Sequence, residues 1–145
     1  MPKGYRYVDH TADVEYIATG ATVEKAFTNA FMGLFATMSD VSKVKAQKSV
    51  AKPMLIKESA KSMEDLLWYS LQDALSAADA TAVFPFGVKG LKITKKKGKF
   101  WLEAGILCKD QVQKHGRFDI KGISRYDLAM KNTGKGYSVS VVVDV

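Results

Sequence analysis

Apolar residues recur along the chain at two spacings, and the alternation between those spacings predicts its elements. Residues 5–8 and 14–19 read as short strands on either side of the polar segment Asp9-His10-Thr11-Ala12-Asp13. Thr22 offers a capping hydroxyl to a helix whose apolar positions are Val23, Ala26, Phe27, Ala30, Phe31, Leu34, Phe35 and Met38. Three-and-four spacing held over four turns buries a full face, so this stripe is core rather than a cofactor box. Residues 50–57 read as a strand that Pro53 confines to an edge or a bulge. Ser62-Met63-Glu64-Asp65 resembles a capping box and opens a second helix on Met63, Leu66, Leu67, Leu71, Ala74, Leu75 and Ala78. Trp68 and Tyr69 lie beside that stripe and either close the core or face a partner.

From residue 83 onward the pattern is that of strands only. Residues 88–94 and 100–108 flank a Lys95-Lys96-Lys97-Gly98-Lys99 turn, 118–130 form another strand or strand pair, and Asn132-Thr133-Gly134-Lys135-Gly136 is a turn by composition. In the last strand Tyr137, Val139, Val141, Val143 and Val145 share one face, while Ser138, Ser140 and Asp144 share the other. The expected fold is α+β, with mainly antiparallel sheet and two main helices on one face, forming a single compact domain over 1–145. No internal repeat, linker or low-complexity tract interrupts it.

Composition narrows the chemistry. A chain of 145 residues, 47% hydrophobic and 26% charged, matches an ordinary globular domain and argues against extended disorder. The single cysteine, Cys108, rules out an internal disulfide and a cysteine cluster for zinc or iron–sulfur chemistry. It continues a small apolar row in its strand, where a buried inert thiol is expected. The polar start and the lack of any membrane-length apolar window predict a cytoplasmic protein with no membrane partner. The net charge of +7 is spread over many lysines, and the densest run falls in a hairpin turn, where lysines serve solubility and protect sheet edges. The total charge is still compatible with weak, salt-sensitive attraction to RNA or to an acidic partner.

Glycine-rich phosphate loops and the Gly-x-Ser-x-Gly elbow are missing, and His10 and His115 are the sole histidines. Carboxylates carry the more specific signal. Asp9 and Asp13 flank the first polar segment, Asp40 follows the first helix, and Asp144 interrupts a run of valines and serines. If the first and last strands pair, Asp13, Asp144 and the α-carboxylate of Val145 converge. Oxygen ligands without sulfur or imidazole suit calcium, magnesium or manganese. The plainer alternatives are turn formation for Asp9, helix stopping or capping for Asp40, and a solvated sheet face for Asp144.

These residues also carry a resemblance. Asp9-His10-Thr11-Ala12-Asp13-Val14 resembles the N-terminal signature of the archease family. The likeness continues through Glu24-Lys25-Ala26-Phe27-Thr28-Asn29-Ala30, Leu34-Phe35-Ala36-Thr37-Met38-Ser39-Asp40, and Glu64-Asp65-Leu66-Leu67 with Leu71, and closes at Val141-Val142-Val143-Asp144-Val145. Archeases are accessory factors of the GTP-dependent tRNA-splicing RNA ligase of the RtcB type, promoting its guanylylation and turnover. Some are chaperone-like modulators of a tRNA cytosine-5 methyltransferase. The resemblance therefore implies a non-catalytic partner protein with a divalent metal, most often calcium, at Asp13, Asp144 and Val145. Asp40, Asp9 and His10 would be further ligands or supports. The late strand departs from the family's Thr/Ser-Tyr-His-x-Leu pattern: Ser124-Arg125-Tyr126-Asp127-Leu128 has an extra arginine and Asp127 in the histidine's place, a further carboxylate for the cluster. An RNA-binding module and a stand-alone metal-dependent phosphoesterase are the readings from other classes.

Overall fold

Backbone pairing in the computed structural model, which describes residues 4–8 and 13–145, divides the strands between two sheets. The first contains β1 (Tyr5–Val8), β2 (Val14–Gly20), β6 (Gly122–Ile123), β7 (Ala129–Asn132) and β8 (Tyr137–Asp144). Its order is β1-β2-β8-β6, with β7 also paired to β8, and every pairing is antiparallel. The second sheet is β3 (Lys52–Ala60), β5 (Lys99–Asp110) and β4 (Val83–Lys96), in the order β3-β5-β4. Pro53 lies on β3, an edge strand, where a missing ladder N–H is tolerated.

Helix α1 (Val23–Met38) starts where the Thr22 hydroxyl accepts the Lys25 N–H at 3.1 Å and ends where Ser39 turns extended. Its stripe of Phe27, Phe31, Leu34 and Phe35 is fully buried, each side chain contributing roughly 1.5–3 kcal/mol on leaving water. The helix touches β2 and β8 of one sheet and β4 of the other, so it joins the two sheets through one core. Gly33 is needed there: a Cβ at that position would run into the Tyr16 ring, whose hydroxyl donates to the Ala30 carbonyl at 2.7 Å. Helix α3 (Met63–Thr81) begins with Ser62 Oγ accepting the Asp65 N–H at 3.1 Å, as the capping pattern predicts. The expected α+β architecture with two long helices is the one observed.

Several expected boundaries move, each for a local reason. Strand β4 runs the whole way from Val83, because register shifts between Pro85 and Gly87 and between Lys89 and Lys92 break the two-residue alternation that would have marked it. Of the strand or strand pair expected over 118–130, the structure has two short strands, β6 and β7, with a polar turn between Ile123 and Ala129 and irregular chain before Gly122. A short helix, α2 (Val41–Ala46), and a 3-10 turn at Gln113–His115 fall in stretches that the sequence pattern leaves as connections. Among the described residues, no helix is long and apolar enough to cross a membrane.

Candidate metal centre

An early strand and the last strand come together through the pairing of β2 with β8. Val14 faces Val143 in the last pair of that ladder, and Asp13 and Asp144 are the next residues along each chain segment. Were the ladder to continue by one step, the two aspartates would stand roughly 4.5–5.5 Å apart, within the span of one cation. On the other flank of Asp144 stands Gly122 of β6, which presents no side chain, and the Lys121 N–H donates to the Asp144 carbonyl at 2.8 Å. Asp144 is exposed, while Asp13 and Val145 are half-buried.

Asp13 also borders a pocket of about 320 Å³ with Tyr7, Thr37, Arg117 and Phe118 on its walls. The Tyr7 and Thr37 hydroxyls share a hydrogen bond at 3.2 Å. Arg117 is fixed by three contacts. Its Nη1 donates to the Ala36 carbonyl at 3.1 Å, its backbone N–H donates to Met38 at 2.9 Å, and its Nη2 lies 3.7 Å from Asp40 Oδ2. A carboxylate and a guanidinium therefore face the same small cavity. Sequence patterns did not single out Arg117, because it lies in irregular chain after the 3-10 turn. Its one local cue is the Gly116 bridge to Ser39 beside α1.

The remaining acidic candidates have structural duties. Asp40 is the N-cap of α2: Oδ1 accepts from the Ser42 hydroxyl at 2.9 Å and from the Lys43 N–H at 3.3 Å. Those bonds, with the nearby charges of Arg117 and Lys43, hold its carboxyl below the usual aspartate range. Asp127 accepts the Ser124 hydroxyl at 2.7 Å and closes an exposed turn. Among the described residues no three His, Cys, Asp or Glu side chains gather as a metal-binding group, so neither Asp40 nor Asp127 joins Asp13 and Asp144 in one cluster. Asp9 and His10 lie outside the described residues. His115 engages Gln47 at 2.9 Å through Nδ1, and its carbonyl receives the Asp40 N–H at 2.8 Å. Cys108 is buried, and that burial pushes its thiol up to about 11, an unreactive protonated state. Trp68 closes the core edge by donating from Nε1 to the Ile123 carbonyl at 2.7 Å, while Tyr69 is exposed beside it.

The donor chemistry of the Asp13–Asp144 position fits a hard cation. Two carboxylates supply charge and up to four oxygens, short of the six to eight that calcium takes, so solvent or a partner must complete the shell. This defines a small α+β protein of two antiparallel sheets, with Asp13 and Asp144 flanking the end of the β2–β8 ladder. The model of the Archease protein family (MTH1598/TM1083) matches residues 5–145, and the chain belongs to that family. An archease from Methanosarcina mazei is 29% identical over 147 aligned residues, covering 99% of this chain and 97% of its own. One from Danio rerio is 36% identical over 100 residues, covering 68% of this chain and 59% of its own. The solution structure of Methanobacterium thermoautotrophicum protein 1598 superposes with a TM-score of 0.82 at 23% identity, covering 99% of this chain and 100% of that one. The crystal structure of a Thermotoga maritima archease gives 0.58 at 17%, covering 95% and 94%. At those identities the two structures speak for the fold.

Proposed function

We propose that this archease is a non-catalytic accessory protein of a GTP-dependent tRNA-splicing RNA ligase, and that it works through a divalent cation, calcium first and magnesium or manganese next, held by Asp13 and Asp144 with Val145 beside them. Family membership supplies the partner class. The observation that supports the site is the β2–β8 pairing, whose last pair, Val14 with Val143, is flanked by Asp13 and Asp144. A bound divalent ion with open positions supplies a Lewis-acidic contact for a phosphate or carboxylate oxygen of the partner. The chain's own groups do the rest. The two aspartates hold the ion, Gly122 keeps the neighbouring position clear, and Arg117 offers planar donors to an anion in the pocket it shares with Asp13.

The test is guanylylation of the cognate ligase by GTP, with and without this protein. Asp13→Ala and Asp144→Ala are expected to keep the fold, with a parent-like far-ultraviolet circular dichroism spectrum, and to lose stimulation. Stimulation by both variants at the parent level would remove the mechanism.

A further inference from the structure

The outer face of the three-stranded sheet has no role in the site above, which belongs to the other sheet. The inner residues of β5, Leu102, Ala104 and Ile106, enter the core, so Trp101 and Glu103 point outward. Register sets Ser59 and Thr94 on either side of Trp101, and Lys57 and Lys92 on either side of Glu103. Lys89 opposite Gly105, and Lys96 opposite Lys99, extend the same face in both directions. Glu103 is thus the single acid among the paired outward positions of this stretch, against Lys57, Lys89, Lys92, Lys96 and Lys99. Trp101 is 44% exposed, an unusual place for a large indole on a sheet face. Its Nε1 donates to the Lys96 carbonyl at 3.3 Å, which ties the ring to the base of the hairpin. Trp101, Lys57, Lys92, Ser59 and Thr94, with Glu58 and Glu103, border a shallow depression of about 510 Å³, within the size range of small-ligand sites, and the cationic excess of the face comes from Lys89, Lys96 and Lys99 around it.

We propose that this face binds single-stranded RNA, with Trp101 stacking on a base and the surrounding lysines contacting the flanking phosphates. A tethered aromatic among lysines supplies both halves of sequence-tolerant single-strand recognition, a stacking platform and a cationic track. Charge complementarity selects a polyanion, and the exposed ring favours one that carries flat bases over an acidic polypeptide. The net charge of +7 adds long-range attraction in the same direction.

The experiment is fluorescence anisotropy of a labelled single-stranded oligouridylate titrated with the intact protein across a salt series. Trp101→Ala should weaken binding roughly 5- to 150-fold, the range expected for loss of one stacked base, with the salt slope unchanged. Trp101→Phe should recover most of that loss. Lys57→Gln with Lys92→Gln should flatten the slope of log affinity against log salt by roughly 1.4, about 0.7 per phosphate contact on a single strand. Asp144→Ala should bind RNA like the parent, which keeps this face distinguishable from the acidic site. No saturable binding at low salt, or binding indifferent to both Trp101→Ala and the lysine pair, would overturn the proposal. So would polyglutamate binding as tightly as RNA with the same dependence on Trp101. Should Trp101→Ala lower the melting temperature, the lysine pair, at exposed positions, decides the matter through the slope.

Discussion

Asp144→Asn separates the electrostatics of the acidic pair from the shape of the strand that carries it. The substitution keeps the side chain's size and removes one negative charge from the residue that follows Val143, the partner of Val14 next to Asp13. Like charges facing each other across an antiparallel pair cost roughly 0.2–1 kcal/mol, so without metal the variant should be slightly more stable than the parent. With metal the sign reverses. A site of two carboxylates with open positions belongs to the weak end of calcium affinities, with a Kd on the order of 10⁻⁴ M. At about 10 mM free calcium such a site stabilises the fold by about 2.7 kcal/mol. In a chain of this length each kcal/mol moves the midpoint by roughly 2–4 °C, which predicts a rise of about 5–11 °C. The assay is thermal unfolding followed by circular dichroism, in chelator and then in calcium, magnesium or manganese. The parent should rise with at least one ion and Asp144→Asn should not, while Asp127→Asn, in a separate turn, should rise like the parent. A parent midpoint indifferent to all three ions would refute the reasoning, as would an equal rise in Asp144→Asn.

Two further outcomes follow from the packing and the charges. Gly33→Ala normally favours a helix by about 1 kcal/mol, but here the new methyl meets the buried Tyr16 ring, and overpacking of roughly 1–3 kcal/mol should outweigh the gain. Urea unfolding should show a lower midpoint, and a higher one would mean that the ring has room to move. Asp79 has its carboxyl raised above the ordinary 3.8, first by desolvation and then by the charge of Asp119, so its ionised form opposes folding. A raised carboxyl costs stability progressively as pH climbs from the unfolded value through the folded one. Melting temperatures of Asp79→Asn and the parent should therefore agree below about pH 3.8 and diverge above it in favour of the variant. A variant less stable at pH 7 would show that the charge is useful to the fold.

The long helices were legible because each carries its period over many residues and starts at a hydroxyl cap, at Thr22 and Ser62, that the structure retains. The valine alternation of β8 and the polar break before β2 were equally direct. Their pairing was a conditional expectation, since register between distant strands is decided by tertiary contacts rather than by either segment. What escaped the pattern was short or irregular. Bulges hid the first part of β4, and α2 is a single six-residue helix whose main cue, Asp40, also served as an acidic candidate. Arg117 escaped for a different reason. A lone arginine in irregular chain has no periodicity to betray it, and its importance arises from Ala36, Met38 and Asp40 converging on it in space.

The departure of Ser124-Arg125-Tyr126-Asp127-Leu128 from the family pattern has a structural reason that spacing could not supply. Arg125 Nε donates to Asp65 Oδ1 at 2.7 Å, and the Met130 N–H donates to Glu64 Oε2 at 3.3 Å. Glu64 and Asp65 form the acidic first turn of α3, where negative charge already suits the helix dipole. The segment between β6 and β7 is thus tied to α3 through the added arginine, while Asp127 turns back on Ser124 and leaves Leu128 buried. An arginine–carboxylate tie and a closed turn explain both unexpected residues as a local solution for holding β6 against β8. Since β6 supplies Gly122 opposite Asp144, holding that strand in place also fixes what stands beside Asp144.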